Sequence, residues 1–181
     1  IIFRPSTVFG SSPRMRCDIV FNNLIGSAFT TKKIIIKSNG KPFRPAIHVN
    51  DVCSAFIAGI EAPLHLVSNE AFNIGINNGN YTVLELANYA KKYVKDSYIE
   101  IRNETGHDER TYNVSFQKIY NRLGKFYKPI WTIEKGAQEI LSFFKKINFD
   151  SEIFHGWKTN RLLQIKRLQK LNIIDKELRK K

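Results

Sequence analysis

Two patterns that would supply dinucleotide chemistry do not occur in this chain. None of its ten glycines is followed two positions on by another, so the Gly-x-Gly turn that lets backbone approach a pyrophosphate is not there. None of its seven tyrosines has a lysine four residues on, the spacing at which an ammonium acidifies a phenol one helical turn away. The four histidines make no ligand pair at helical spacing, so no metal site is expected. The two cysteines, Cys17 and Cys53, fit neither a zinc pattern nor a disulfide framework. They read as small buried apolar residues of a reducing compartment, and a cytoplasmic protein is expected. No apolar run reaches the roughly 18–20 residues of a membrane span.

What is present is a core-forming chain. Its 181 residues are 43% hydrophobic and 12% aromatic, enough for one domain or one lobe of a larger protein. It opens on Ile1-Ile2-Phe3-Arg4, already inside an apparent strand and without a methionine. The expectation is the back half of an enzyme, carrying binding contacts without catalytic ones. Apolar surface is then expected to stand exposed around residues 1–8.

The net charge of +13 is unevenly spread. Residues 155–181 hold nine Lys or Arg against Asp175 and Glu177, which places +7 in the tail. Leu162, Ile165, Leu168, Leu171, Ile174 and Leu178 recur every three or four positions, as on one face of a helix. A solvated helix whose stripe docks on the domain is the ordinary reading. A membrane surface or nucleic acid is the sharper one, disfavoured because no aromatic follows Trp157 among the charges.

Periods of two and of three to four alternate along the chain, so the class is mixed α/β. Strands are expected over residues 1–8, 33–37, 44–49, 71–75 and 98–102. Helices are expected over 18–29, over 51–62 with Val52, Ala55, Phe56 and Ile60 inward, over 82–95, 115–124 and 132–146. Thr82-Val83-Leu84-Glu85 is a capping box. Gly124 is expected to end its helix in the left-handed region. Residues 148–155 look like a link into the tail, giving a lobe over 1–147 and a linker with a basic amphipathic helix over 148–181.

The most telling segment is Phe43-Arg44-Pro45-Ala46-Ile47-His48-Val49-Asn50-Asp51. An arginine at a strand mouth beside a helix start suits a diphosphate, because the planar guanidinium and free helix amides both take phosphate oxygens. Arg44, Arg110 and the amides near Asn22 and Asn23 form a candidate anion-binding set, with Arg14 and Arg16 adding to the field. An acid-base pairing of His48 and Asp51 is a weaker reading than a strand histidine and an acid favoured at a helix start.

These residues carry a resemblance. Arg4-Pro5-Ser6-Thr7-Val8-Phe9-Gly10, Ser12-Pro13-Arg14-Met15-Arg16, Asn22-Asn23-Leu24 and the Arg44–Asp51 run occur in the order of the second half of extended short-chain dehydrogenase/reductases. Phe72-Asn73-Ile74-Gly75, Tyr81 to Ala87, Gly106-His107-Asp108-Glu109-Arg110 and Leu123-Gly124 continue it. The chain resembles the NAD-dependent epimerases and dehydratases of nucleotide sugars, UDP-glucose 4-epimerase among them, up to about Lys146.

The resemblance implies the substrate-binding half of a Rossmann-type enzyme whose N-terminal dinucleotide-binding half is absent from this chain. It implies NAD as cofactor, held mainly by that missing half, with Thr7 and Val8 near the nicotinamide. It also implies a nucleotide-diphosphate sugar as ligand: Arg44 on the diphosphate, Asn22 and Asn23 beside it, Ile35 and Lys37 along the base, and Arg110 as a further cation. Lys37 stands where UDP-sugar epimerases tend to have an aromatic residue, and Glu104 where many relatives place an arginine. The implied activity, isomerase or lyase in carbohydrate metabolism, passes hydride through a keto-sugar, and no catalytic residue falls in this chain. A non-catalytic nucleotide-sugar-binding protein comes second, and a nucleic-acid-binding module working through the tail third. A homodimer is left open.

Overall fold

The computed structural model of the protein describes residues 1–104 and 110–181. The chain runs β1 (Ile2–Pro5), β2 (Thr7–Phe9), α1 (Val20–Thr31), β3 (Lys33–Ile36), β4 (Phe43–His48), α2 (Val49–Glu61), α3 (Leu64–Val67), β5 (Ala71–Ile74) and β6 (Asn80–Thr82). It continues through α4 (Val83–Tyr93), β7 (Tyr98–Ile101), α5 (Gln117–Leu123), α6 (Ile133–Lys146), α7 (Ser151–His155) and α8 (Arg161–Lys170). The class is the expected α/β. The expected strand over residues 1–8 is two strands, because Ser6 turns inward: its amide and hydroxyl both donate to Ile74 O, each at 2.9 Å.

β1 pairs in parallel with β5, β3 in parallel with β7, and β4 lies between parallel β2 and antiparallel β6. Proline has no N–H for a ladder, so Pro45 in a central strand needs a reason. The register provides it: residues 43–45 pair with β6, and only residues 46–48 pair with β2. Pro45 sits where β4 changes partner and has a neighbouring strand on one side only.

Two cores flank these strands. Phe21, Ile25, Ile34, Leu86, Ile140 and Phe144 anchor the first, where α1 and α4 cover β3 and α6 packs on those two helices. Ile47, Phe72, Ile74, Ile119, Leu123 and Tyr127 anchor the second, between α2 and α5. The capping box closes as expected, with Glu85 N donating to Thr82 Oγ1 at 3.1 Å and Thr82 N to Glu85 Oε2 at 2.7 Å.

Several local expectations are not met. Phe56 and Ile60 do not point inward: they are 51% and 83% exposed, joined by Ile57 and by Leu64 at 76%. Ala55 and Ala58 take the buried face of α2 instead. Gly124 is right-handed at φ −62, and it is glycine because a Cβ there would come 2.4 Å from Tyr120 O.

Residues 148–155 are no bare link. Phe149 stacks on Phe144 at 3.9 Å, and Phe154 lies so close to α1 that a Cβ on Gly26 would fall 2.7 Å from its ring. The tail helix ends at Lys170 and buries no residue fully: Ile165, Leu168 and Ile174 of its apolar stripe are half-buried, while Leu162, Leu171 and Leu178 stand exposed. Of the cysteines, Cys17 is buried with its thiol pushed up to about 12 by desolvation, whereas Cys53 is exposed.

Candidate functional site

The loop after β2 is tied down from three sides. Asn22 Oδ1 accepts from Gly10 N at 3.2 Å, and its amide donates to Arg16 O at 2.9 Å. Asn23 donates to Cys17 O at 2.9 Å. Both asparagines therefore shape the entry to α1, whose first residue is Val20 rather than an asparagine and whose first turn holds no acid. From the far side, Ser11 N donates to Glu139 Oε2 at 3.1 Å, and the Ser11 hydroxyl bonds the same carboxylate.

Between this loop, α1, β3 and β4 lies an open cleft of about 500 Å³. Thr7, Asn23, Ile35, Lys37 and Arg44 all line it. Five of the eight residues singled out from the sequence thus converge on one hollow. The other three do not. Asn22 is 3% exposed with both ends of its amide bonded internally. Val8 packs against the second core.

Arg110 does not line the cleft; its carbonyl accepts from Arg44 Nη1. The remainder of its motif, residues 106–109, lies outside the described residues. Arg44 Nη1 also donates to Phe43 O at 2.9 Å, and its guanidinium carbon stands 5.7 Å from the centre of the Tyr112 ring. Glu104 does not line the cleft but adjoins it, its amide donating to Lys37 O at 2.7 Å.

Sequence reasoning missed Tyr112 and Asp18, which also line the cleft. Asp18 is held by the Arg16 fork at 2.9 and 3.0 Å, which keeps its carboxyl below the usual range. Its charge is therefore matched by Arg16, and the positive charge of Lys37 and Arg44 prevails in the hollow.

Asp51 is not a helix cap. It is fully buried in the first turn of α2, and its two oxygens accept from Ile130 N and Trp131 N, each at 3.0 Å. His48 caps α2, with Nδ1 accepting from Asn50 N at 3.3 Å, and its ring stacks on Trp131 at 3.8 Å. Its Nε2 is buried 3.6 Å from Glu139, beyond hydrogen-bond reach.

Burial pushes the imidazole below its ordinary 6.5, against the pull of that carboxylate. A depressed folded pKa means the unfolded chain binds the proton more tightly. His48 then contributes stability that is complete above pH 6.5 and is lost as pH falls below it. Protonated Nδ1 could no longer accept from Asn50. The unfolding free energy is expected to drop on acidification from pH 7.5 to 5, by up to about 1.4 kcal/mol per pH unit from this group. His48→Asn keeps a capping oxygen but does not titrate, so an equally steep profile in that variant would disprove the assignment.

Among the described residues no three metal-ligating side chains cluster, and no helix is long and apolar enough to cross a membrane.

The α/β architecture resembles that of the extended short-chain dehydrogenases/reductases, a likeness that the comparisons with known proteins support. Residues 1–75 match the model of the NAD dependent epimerase/dehydratase family, in agreement with the motifs read up to Gly75. The fold resembles UDP-glucuronic acid 4-epimerase from Bacillus cereus in complex with UDP-glucuronic acid and NAD (TM-score 0.66, 23% identity, 81% of this chain and 45% of that one). UDP-glucose 4-epimerase with UDP-glucose from Thermotoga maritima gives TM-score 0.67 and 22% identity over 81% of this chain and 46% of that one. A dTDP-glucose 4,6-dehydratase from Bacillus anthracis in complex with NAD gives 0.57 and 25% over 80% and 44%. The chain thus spans less than half the length of each.

Proposed function

We propose that this chain is the substrate-gripping portion of an NAD-dependent epimerase or dehydratase acting on a nucleotide-activated sugar. The observation that carries the reading is the convergence of Arg44, Lys37, Asn23, Thr7 and Ile35 on one cleft. A nucleoside diphosphate is an anion joined to a flat, partly apolar base. The cleft offers a guanidinium and an ammonium for the first, and Leu24, Ile35, Ile36 and Val83 for the second.

The residues present do not by themselves make a dinucleotide site. No Gly-x-Gly turn occurs, and of Thr7 and Val8 only Thr7 lines the cleft. Nor does the chain hold a Tyr-x-x-x-Lys pair to take a proton from a sugar hydroxyl. The role left to its own residues is to bind and orient the ligand.

A second polypeptide half has a place to pack. Ile1, Ile2, Phe56, Ile57, Ile60 and Leu64 are large apolar residues left exposed on β1, α2 and the start of α3. Among the described residues β1 pairs with β5 alone, so its other edge can accept a strand. This face suits a dinucleotide-binding half better than solvent.

Titration of the chain with UDP-glucose, followed by calorimetry and amide hydrogen exchange, tests the proposal. Saturable binding is expected, with protection of the start of α1 and of β3, and none with NAD alone. Binding that leaves those segments unprotected would overturn the reading.

A further inference from the structure

A second hollow, of about 320 Å³, opens where the tail meets the loop after β2. It shares no lining residue with the Arg44 cleft. Arg14, Arg16, Lys158 and Arg161 put four cationic side chains around it, with Trp157 as one wall. Such a gathering is self-repelling unless something of opposite charge enters it.

Among the described residues, Arg16 pairs with Asp18, and no carboxylate lies within ion-pair distance of Arg14, Lys158 or Arg161. A fifth cation, Arg167, lies with its guanidinium carbon 4.1 Å from the centre of the Trp157 ring, and Lys158 Nζ is 5.6 Å from the same ring. These contacts hold the indole in place beside the cations. The hollow is fixed to the lobe rather than carried on a loose tail: Cys17 N donates to Thr159 O at 2.8 Å, and the Thr159 hydroxyl donates to Ile153 O at 2.6 Å. One further polar group in the lining lacks a partner. Gln164 Oε1 is buried and accepts no hydrogen bond, and a buried acceptor of this kind calls for a donor.

The geometry points to a second ligand site here, for a compact metabolite that carries both a phosphate and hydroxyl groups, of the sugar-phosphate class. The phosphate meets Arg14, Lys158 and Arg161, and a hydroxyl donates to Gln164 Oε1. The concave shape and modest volume suit a small molecule rather than a nucleic-acid strand. The site depends on none of the residues that support the nucleotide-sugar reading.

Calorimetric titration of the whole chain with glucose 1-phosphate and with inorganic phosphate separates the two contributions. Both should bind, the sugar phosphate more tightly, with a change in Trp157 fluorescence. The paired change Arg14→Gln with Arg161→Gln should weaken both ligands about tenfold or more, since two charge-assisted bonds go. Gln164→Leu should remove only the advantage of the sugar phosphate. All of these positions are at or near the surface, and unchanged unfolding curves would show that the fold is intact.

Unaltered affinity in the paired variant would overturn the proposal. So would equal binding of the two ligands with no effect of Gln164→Leu, or binding of single-stranded oligonucleotides only. Weakening by Arg44→Gln instead would move the ligand to the other cleft, sinking this site while leaving the nucleotide-sugar reading standing.

Discussion

Gly10→Ala is expected to destabilise the protein by roughly 2 to 6 kcal/mol, combining backbone strain with overpacking. Gly10 ends β2 at φ +114, a conformation that L side chains rarely adopt. A Cβ there would also fall 2.5 Å from His48 Nε2. The imidazole cannot step aside: Trp131 stacks on one face, Phe9 meets it edge-on, and Gly136 comes close enough that its own Cβ would lie 3.2 Å from the ring. The strain would reach the cleft, because Gly10 N is the donor that locks Asn22 and hence the start of α1. Denaturant unfolding measures the loss directly. A change below about 1 kcal/mol would mean that the loop after β2 can relax.

Arg44→Gln is expected to lower the affinity for UDP-glucose by about 10- to 100-fold, the usual worth of a charge-assisted hydrogen bond to a phosphate. Arg44→Lys should recover little of it. A lysine has no planar fork, and it cannot bond both Phe43 O and Arg110 O while facing a ligand. Calorimetry gives the affinity, and parallel unfolding curves show whether the tie between β4 and residue 110 was needed for folding. Equal affinity in all three proteins would remove Arg44 from the site and with it the reading that depends on the cleft.

Much of this architecture was legible in the residues because it is set locally. Three successive isoleucines gave β3, the Thr82–Glu85 box gave the start of α4, and the four-residue repeat gave α1, placed two residues too early. The family motifs brought Thr7, Asn23, Ile35, Lys37 and Arg44 into consideration together, and the structure places all five around one hollow. Tyr112 was missed because its only signal is proximity to Arg44 across 68 positions of sequence. Asp18 was missed because its pairing with Arg16 depends on how the loop turns, which neither side chain determines alone.

The misread residues share another cause. Phe56 and Ile60 were placed inward because apolar side chains at helical spacing ordinarily face a core. Here Ala55 and Ala58 let α2 approach the second core closely, and the bulky residues are left on the opposite face. The pattern was right about amphipathicity and silent about which apolar surface meets this lobe. What the Asn22 side chain does also depends on tertiary structure: its amide joins Gly10 to Arg16.

By itself, then, the amino-acid order determined the succession of strands and helices, the caps, the basic tail and the family motifs, since each depends on neighbours within a few residues. Tertiary structure alone decided that Phe149 and Phe154 belong to the core, that Asp51 serves a loop 79 positions away, and that two separate cationic hollows flank the Arg16–Asp18 pair. Those outcomes depend on distances between segments remote in sequence, and such distances exist only once the two cores have packed.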